Sequence, residues 1–169
     1  MIFFSSNKMP RYQTIIIIII IIISYDELPT TSVVVTFYNE GWTTLLRTLF
    51  SILHTSPKAL LKEIILIDDM SNITEFPKLG RPLEDEVAKM PRVRLIRTKK
   101  REGLVRARLL GAEVAQGEVL TFLDCHIECN AGWLEPLLAR IAEDDSVVTV
   151  PIISTIEWDT FAFRHSPLR

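Results

Sequence analysis

The stretch Val119-Leu120-Thr121-Phe122-Leu123-Asp124-Cys125-His126-Ile127-Glu128-Cys129 decides the fold, because it joins an apolar strand to two chemically active side chains. Four of its first five residues are apolar and two are β-branched, which predicts a buried strand. The strand ends at Asp124, and His126 follows after one residue. In an open α/β sheet, ligands bind outside the carboxyl ends of the strands, so this carboxylate and this imidazole could share a divalent cation. A surface turn is the alternative interpretation, because so short a pattern also arises by chance.

Length and composition describe a globular protein of one domain. The chain has 169 residues, of which 48% are hydrophobic and 24% charged, enough for a real core. Its net charge of -2 argues against a nucleic-acid-binding protein. Cys125 and Cys129 could be free thiols, a disulfide or metal ligands. A structural zinc site would need a second pair of ligands, and His54 and His165 stand alone, so structural zinc is disfavoured.

The N-terminal segment, residues 1–28, differs from the rest of the chain. Nine consecutive isoleucines, Ile15 to Ile23, follow two basic residues. As a helix the run would extend only about 14 Å, against about 30 Å for the hydrocarbon core of a bilayer. It resembles the hydrophobic part of a signal peptide, but no small-residue cleavage pattern follows closely. We favour a low-complexity segment outside the fold, and expect a single domain over residues 29–169.

Strands and helices alternate after this segment, which predicts an α/β fold with a mostly parallel sheet. Short apolar runs between turn signals predict the strands: Val33–Phe37, Glu63–Ile67, Val93–Ile96, Val119–Leu123 and Val147–Val150. Apolar residues at helical spacing predict the helices: Trp42–Leu53, Leu83–Met90, one beginning after Gly103, and Trp133–Ala142. Trp42 and Trp133 belong to these apolar stripes and are predicted to be core residues. From Ile152 onward, no completed element is predicted.

Three clusters of polar residues follow strands and should therefore meet at one edge of the sheet. They are Thr36 to Glu40, the pair Asp68-Asp69, and Asp124 to His126. The segment from Arg92 to Arg108 carries eight basic residues and one acidic residue. Such a run is either a solvated face or an anion site, the latter favoured by a predicted helix N-terminus beside Arg101. Carboxylates, an imidazole and a positive segment together suit a nucleotide diphosphate with its cation.

Two common nucleotide-binding motifs are missing from the sequence. No Gly-x-Gly-x-x-Gly follows the first strand, and no Gly-x-x-x-x-Gly-Lys-[Ser/Thr] occurs anywhere. A dinucleotide-dependent oxidoreductase and a P-loop NTPase are therefore disfavoured.

Six blocks of sequence resemble, in order and spacing, the polypeptide N-acetylgalactosaminyltransferases. They are Leu28–Val34, Tyr38–Glu40, Glu63–Asp69, Arg101–Arg108, Thr121–His126 and Gly132–Leu138. The resemblance implies a GT-A fold, a Rossmann-like αβα sandwich, of which this chain would be the donor-binding half, truncated at the C-terminus. It implies transfer of N-acetylgalactosamine from UDP-GalNAc to Ser or Thr of a polypeptide, with retention of configuration and with Mn²⁺ as the cofactor. It also implies the lumenal side of the Golgi membrane.

The same resemblance assigns roles to single residues. Asp124 and His126 match two of the family's metal ligands. Thr36, Asp69, Arg101 and Cys125 match positions that contact the nucleotide sugar. Glu40 and Asp68 belong to the same blocks, and Asp68 could instead serve the end of its strand structurally.

The sequence also departs from the family pattern. The family's third metal ligand, its acceptor-binding residues, its lectin domain and its full membrane anchor have no counterparts here, and Ile127 stands where cysteine is usual. We therefore expect a fragment or incomplete gene product with little turnover by itself. Two alternatives stay open. One is a non-catalytic module that keeps its UDP binding or pairs with a full-length relative, and the other is a GT-A transferase with another sugar donor. Asn72-Ile73-Thr74 is an N-glycosylation acceptor pattern, whose occupancy the sequence leaves open.

Overall fold

A computed structural model describes residues 28–157, 159–160 and 162–164. The isoleucine run of the N-terminal segment lies outside the described residues. Leu28, assigned to that segment from the sequence, is 8% exposed and packs with Leu60, Leu134 and Leu138. Among the described residues, no helix combines the length and the apolar character needed to cross a bilayer.

Four parallel strands form the main sheet, in the spatial order β3-β2-β1-β4. They are β1 (Thr31–Phe37), β2 (Leu61–Asp68), β3 (Val93–Arg97) and β4 (Val119–Asp124). All seven residues of β1 are buried, as expected for a central parallel strand that is covered on both faces. The predicted α/β class with a parallel sheet is confirmed.

Helices cover both faces of this sheet. They are α1 (Trp42–Thr55), α2 (Arg81–Val87), α3 (Leu104–Glu113) and α4 (Glu135–Glu143), and a 3-10 turn covers Pro77–Leu79. The apolar stripe of α1 and the residues of α2 pack on one face, against side chains such as Val35 and Leu66. The helix α3 packs on the other face, against Val34, Ile65 and Ile67. The predicted three-layer arrangement is thereby confirmed.

Close packing fixes the height of α3 above the sheet. A Cβ atom built on Gly111 would lie 2.4 Å from Cγ1 of Val34. Only a residue without a side chain lets the helix backbone come this near to the strand.

The sequence-based assignment of elements was wrong at several points. Val147–Val150 is not a strand, because no neighbouring strand pairs with it in the described structure. Beyond Ile152, β5 (Thr155–Ile156) and β6 (Phe163–Arg164) form a short antiparallel pair that the sequence did not predict. The helix α2 ends at Val87 rather than Met90. Trp133 precedes α4 instead of lying in it, yet it packs against the core, as does Trp42.

The strand register aligns the ends that carry the polar clusters. Thr36 lies opposite Asp124 on β4, and Phe37 lies opposite Asp68 on β2. Since the strands are parallel, the loops that follow β1, β2 and β4 leave the sheet at the same edge.

Candidate functional site

Asp69 anchors the beginning of α3. Its carboxylate accepts hydrogen bonds from the backbone amides of Glu102, at 2.8 Å, and Gly103, at 3.0 Å. Its side chain is 5% exposed and also forms an ion pair with Arg101. Gly103 has φ +79°, a conformation that glycine adopts without strain. A buried carboxylate thus satisfies backbone donors at a helix N-terminus, where the helix dipole also favours negative charge.

Arg101 is held in place from two directions. Nη1 donates to the backbone oxygen of Asp69 at 2.9 Å, and the guanidinium carbon lies 3.6 Å from the centre of the Tyr38 ring. The side chain is nevertheless 48% exposed. The cation is therefore oriented by an acid and an aromatic face while part of it stays open to a ligand.

The basic run around Arg101 is mostly engaged in holding the fold together. Arg94 pairs with buried Glu63, Arg97 with buried Asp68, and Arg108 with Asp124. Lys100 and Arg106 are exposed, at 73% each, and the anion site beside Arg101 stays a prediction. The paired arginines of the run tie neighbouring strand ends and loops together.

Asp68 lies inside the fold and not in the open part of the edge. It is 2% exposed. One carboxylate oxygen accepts from the Ser71 amide at 2.8 Å, and the other accepts from Arg97. These contacts close the end of β2 and give Asp68 a structural use.

The loops after β1 and β2 are joined to each other. The Asn39 amide donates to the Ser71 hydroxyl at 3.0 Å, and the Asn72 amide donates to the Asn39 side-chain oxygen at 2.8 Å. Asn39 and Met70 both adopt positive φ, of 51° and 63°. Non-glycine residues adopt this region rarely, so the two turns are held by the contacts between them.

Asp124 and Thr36 are neighbours in the register of β4 and β1, at the ends of these strands. Asp124 accepts a hydrogen bond from Arg108 of α3 at 2.8 Å, and its side chain is 40% exposed. Thr36, its register neighbour, is buried, and its hydroxyl has no hydrogen-bond partner among the described residues. A buried hydroxyl without a partner costs free energy unless a ligand or water completes it.

Glu40, Cys125 and His126 form a compact cluster across the β1 and β4 loops. The Cys125 thiol donates to Glu40 Oε2 at 3.1 Å, and His126 Nδ1 lies 3.4 Å from the same oxygen. His126 is 62% exposed, whereas Cys125 is buried. Of the described residues, these three alone form a group of three metal-ligand side chains with mutually close donor atoms.

The electrostatics of this cluster favour an ionised carboxylate beside a neutral thiol. Burial raises the pKa of Glu40, but hydrogen bonds from Cys125 and the Gly41 amide, together with His126, outweigh burial and leave its pKa below the ordinary value. Burial and the neighbouring Glu40 raise the pKa of Cys125 to about 12. The thiol therefore stays protonated near neutral pH.

Thr48 of α1 contacts the loop that follows β4. Its hydroxyl lies 2.9 Å from the Cys125 carbonyl oxygen and 2.8 Å from that of Ile127. Thr48 is fully buried. A helix side chain thus fixes the backbone that carries His126.

The eight predicted site residues fall into two adjoining groups at one edge. Asp68, Asp69 and Arg101 belong to the β2 side, and the other five, Thr36, Glu40, Asp124, Cys125 and His126, belong to the β1–β4 side. The β1–α1 loop serves both groups, since Tyr38 meets Arg101 and Glu40 meets His126. Sequence reasoning missed the supporting roles of Tyr38, Thr48 and Arg108. Tyr38 and Arg108 could have been found because they lie in the matched blocks, and Thr48 because it lies among the buried residues of α1.

A separate groove of about 500 Å³ lies between α2 and the edge strand β3. Met90, Val93 and Arg97 are among its lining residues, and none of the eight predicted site residues is. The groove is therefore distinct from the candidate site.

Comparison with known proteins gives consistent results. The sequence profile described as Glycosyl transferase family 2 matches residues 32–169. Mouse polypeptide N-acetylgalactosaminyltransferase 4 is 61% identical over 139 residues, which are 82% of this chain and 24% of the relative. Human polypeptide N-acetylgalactosaminyltransferase 12 is 59% identical over 139 residues, 82% of this chain and 23% of the relative. The chain thus spans about a quarter of the length of these curated relatives.

Solved structures share the fold. A crystal structure of GalNAc-T7 with UDP, GalNAc and Mn²⁺ superposes with a TM-score of 0.73 at 34% identity, covering 89% of this chain and 32% of that chain. Residues 1–349 of TarS from S. aureus superpose with a TM-score of 0.56 at 21% identity, covering 69% and 33%. The second similarity concerns the fold alone. Together they agree with the predicted GT-A architecture.

Proposed function

Because this chain belongs to glycosyl transferase family 2, we propose that it is the donor-binding part of a polypeptide N-acetylgalactosaminyltransferase. The proposed reaction moves N-acetylgalactosamine from UDP-GalNAc to a Ser or Thr hydroxyl of a polypeptide, with retention of configuration. The identity of about 60% to such transferases supports the choice of reaction class. The compartment proposed with it is the Golgi lumen.

The observation that carries this proposal is the register of β1 against β4. It brings Thr36, whose buried hydroxyl has no partner within the described part of the chain, beside the exposed carboxylate of Asp124. A donor that binds at this rim would accept the Thr36 proton in a hydrogen bond and so remove the cost of burying that hydroxyl. In this proposal, the donor supplies the acceptor that the Thr36 hydroxyl lacks among the described residues.

The residues at the rim fit a divalent cation. Asp124 and His126 supply an oxygen and a nitrogen donor, and both side chains are substantially exposed, at 40% and 62%. Carboxylate suits Mn²⁺, and imidazole is a common ligand of transition metals. When bound, Mn²⁺ neutralises charge on the diphosphate, including the charge that develops as the sugar–phosphate bond breaks. Arg108 holds Asp124 in place, and Thr48 holds the backbone beside His126.

On the β2 side, the partly exposed guanidinium of Arg101 is available to an anionic or polar group of the donor. Asp69 and Tyr38 fix its position, so little conformational entropy is lost when a ligand binds. Asp69 acts through Arg101 and the α3 N-terminus, as its own carboxylate is already occupied.

Calorimetry with UDP and Mn²⁺ tests the donor site. We expect binding by the full chain and loss of binding by the double variant Asp124→Ala/His126→Ala. The control is Asp145→Ala/His54→Ala, which removes one exposed carboxylate and one exposed imidazole away from the rim. Equal binding by the two double variants would contradict the site.

A transfer assay tests the reaction separately. UDP-GalNAc and a Ser/Thr-rich peptide are incubated with the chain and Mn²⁺, and the peptide mass is measured. An added N-acetylhexosamine supports the proposed reaction. UDP binding without a mass change indicates the non-catalytic binding module, and transfer from another UDP-sugar in preference to UDP-GalNAc indicates a different donor.

A further inference from the structure

The cluster of Glu40, Cys125 and His126 contains three different kinds of metal ligand within one small volume. The three ligand atoms are a carboxylate oxygen, a thiol sulfur and an imidazole nitrogen. They come from two loops that are far apart in sequence, after β1 and after β4. Thr48 and the Gly41 amide fix these loops through hydrogen bonds to the Cys125 carbonyl oxygen and to Glu40 Oε1.

The distances between the donor atoms match the edges of a coordination tetrahedron. Zinc bonds of about 2.3 Å to sulfur and about 2.0 to 2.2 Å to nitrogen and oxygen require tetrahedral edges of about 3.4 to 3.6 Å. The observed separations are 3.1 Å from Cys125 Sγ to Glu40 Oε2, 3.7 Å from Sγ to His126 Nδ1, and 3.4 Å from Nδ1 to Oε2. Shifts of a few tenths of an ångström would accommodate the ion.

The exposure of the three side chains also suits an entry path. His126 is 62% exposed and forms the outer wall, Glu40 is 23% exposed, and Cys125 lies buried below them. A cation can therefore enter from solvent past the imidazole and reach the sulfur. Three protein ligands leave the fourth tetrahedral position open to water or to a ligand.

We propose that Glu40, Cys125 and His126 form a binding site for Zn²⁺, distinct from the Mn²⁺ position proposed for Asp124 and His126. On binding, the thiol proton of Cys125 passes to solvent and the sulfur coordinates as thiolate. A thiolate selects zinc over manganese, and zinc binds a given set of ligands more tightly than manganese does. The site rests on the geometry of three side chains and does not depend on the transfer reaction.

The proposed Zn²⁺ site and the proposed Mn²⁺ position both use His126, so the two ions would compete for it. An imidazole that coordinates Zn²⁺ through Nδ1 is held close to Glu40 and Cys125, so it no longer binds Mn²⁺ together with Asp124. Zinc therefore competes with Mn²⁺-dependent binding of UDP. Cys125 occupies the middle position of the Asp-x-His pattern, between the two residues proposed to hold Mn²⁺.

Absorption spectroscopy of the full chain with Co²⁺, followed by displacement with Zn²⁺, tests the site. Tetrahedral Co²⁺ with a thiolate ligand gives a charge-transfer band that no carboxylate–imidazole site produces. We expect the band in the unmodified chain and its loss on titration with Zn²⁺. We expect no band in Cys125→Ser and a full band in Cys129→Ser, which removes an equally buried thiol four residues away. A band that survives in Cys125→Ser, or its absence from the unmodified chain, overturns the proposal.

Two further variants separate this site from the proposed donor site. Asp124→Asn is expected to abolish Mn²⁺-dependent UDP binding while it keeps the cobalt–thiolate band. Loss of the band in this variant would show that thiolate coordination needs Asp124, which overturns the proposal of a site distinct from the Mn²⁺ position. Glu40→Gln is expected to keep the band and raise the Kd for Zn²⁺ more than about tenfold. An unchanged Kd in Glu40→Gln overturns the proposal even if Cys125→Ser fails to fold, which circular dichroism reports. Failure of UDP to bind the unmodified chain in the presence of Mn²⁺ refutes the donor site and leaves the zinc result intact.

Discussion

Two adjacent aspartates, Asp68 and Asp69, have different roles because their side chains contact different partners. Both are almost fully buried, at 2% and 3%. Asp68 pairs with Arg97 and accepts a hydrogen bond from the Ser71 amide. Asp69 pairs with Arg101 and accepts hydrogen bonds from the two backbone amides just before α3. Both carboxylates therefore organise other residues of the fold.

Replacing Asp69 should cost stability, because two backbone amides and a guanidinium would lose their acceptor. We expect Asp69→Ala to lower the free energy of unfolding by about 2 to 3 kcal/mol, the range for losing a helix cap together with a charged hydrogen bond. Urea denaturation measures the change. The control Asp85→Ala breaks an ion pair with Arg81 whose side chains are 58% and 82% exposed, and should change stability by less than about 0.5 kcal/mol. Similar losses in both variants would contradict the anchoring role.

The two buried thiols make stability fall at alkaline pH. Burial is the largest cause that raises the pKa of Cys125 and of Cys129 to about 12, from an ordinary value of 9.0. Between these values the unfolded chain releases thiol protons and the folded chain keeps them, so rising pH favours unfolding. The loss should approach about 1 kcal/mol per pH unit for each thiol. Urea denaturation at pH 8 and pH 10.5 checks this, with Cys125→Ser/Cys129→Ser as the control for every other titrating group. Parallel pH profiles for the two proteins would refute the prediction.

Single residues of the site were partly predictable from the sequence. Asp124, His126 and Thr36 follow from strand ends and matched blocks, since the residue that ends a parallel strand is fixed by the apolar run before it. The partner of each side chain was not predictable. Glu40 lies 85 residues before Cys125 in the chain, and only the packing of two loops brings them together.

At the scale of elements, α1 contributes to the candidate site from the face of the sheet that it covers together with α2. Its apolar stripe fixes the helix against β1 and β4, and Thr48 interrupts that stripe with a hydroxyl that meets two carbonyl oxygens of the β4 loop. The helix therefore positions the loop that carries His126 as well as filling the core.

Removing the Thr48 hydroxyl should loosen this loop. We expect Thr48→Val, which keeps the shape, to lower the free energy of unfolding by about 1 to 2 kcal/mol, because the Cys125 and Ile127 carbonyl groups lose the one hydroxyl donor that they share. It should also weaken binding of UDP with Mn²⁺. Thr43→Val makes the same change at an exposed position of α1 and should be neutral within about 0.5 kcal/mol. Calorimetry and urea denaturation measure both effects, and full donor affinity in Thr48→Val would refute the positioning role.

Elements were predictable where pattern and pairing agree. The strands β1 to β4 are apolar runs with neighbours on the sheet, and they were found. Val147–Val150 is rich in β-branched residues and was predicted as a strand, but a strand needs a partner for its backbone groups. Here the Val147 amide bonds to Asp144 and the Thr149 hydroxyl lies near Leu137 in α4. Local turn and helix contacts took the place of sheet pairing.

At the scale of the whole molecule, the α/β class and the position of the site followed from one argument about parallel strands, whereas the layout of charge did not. A run of basic residues suggests a positive surface, but three of its arginines form ion pairs with Glu63, Asp68 and Asp124. Which charges remain open to a ligand depends on the tertiary fold.

Donor binding should stabilise the whole chain, since the rim joins three strand ends. Ligand at about 100 times its Kd adds about 2.7 kcal/mol to the free energy of unfolding, which for a protein of this size raises Tm by about 5 to 10 °C. We expect this shift with UDP and Mn²⁺ together, and its reversal by EDTA. Differential scanning fluorimetry measures it. The variant Asp124→Ala/His126→Ala should show no shift, and an equal shift in that variant would show that the ligand binds elsewhere.

The helix α3 begins at the carboxylate that follows β2, and five residues later its Arg108 reaches the carboxylate that ends β4. At 1.5 Å per residue, these attachments are about 7.5 Å apart along a single rod. In the proposed site, this rod connects the Arg101 side with the cation side, so we expect binding of the nucleotide and binding of the ion to be thermodynamically linked. Linkage is reciprocal: by whatever factor the bound ion changes the affinity for UDP, bound UDP is expected to change the affinity for the ion.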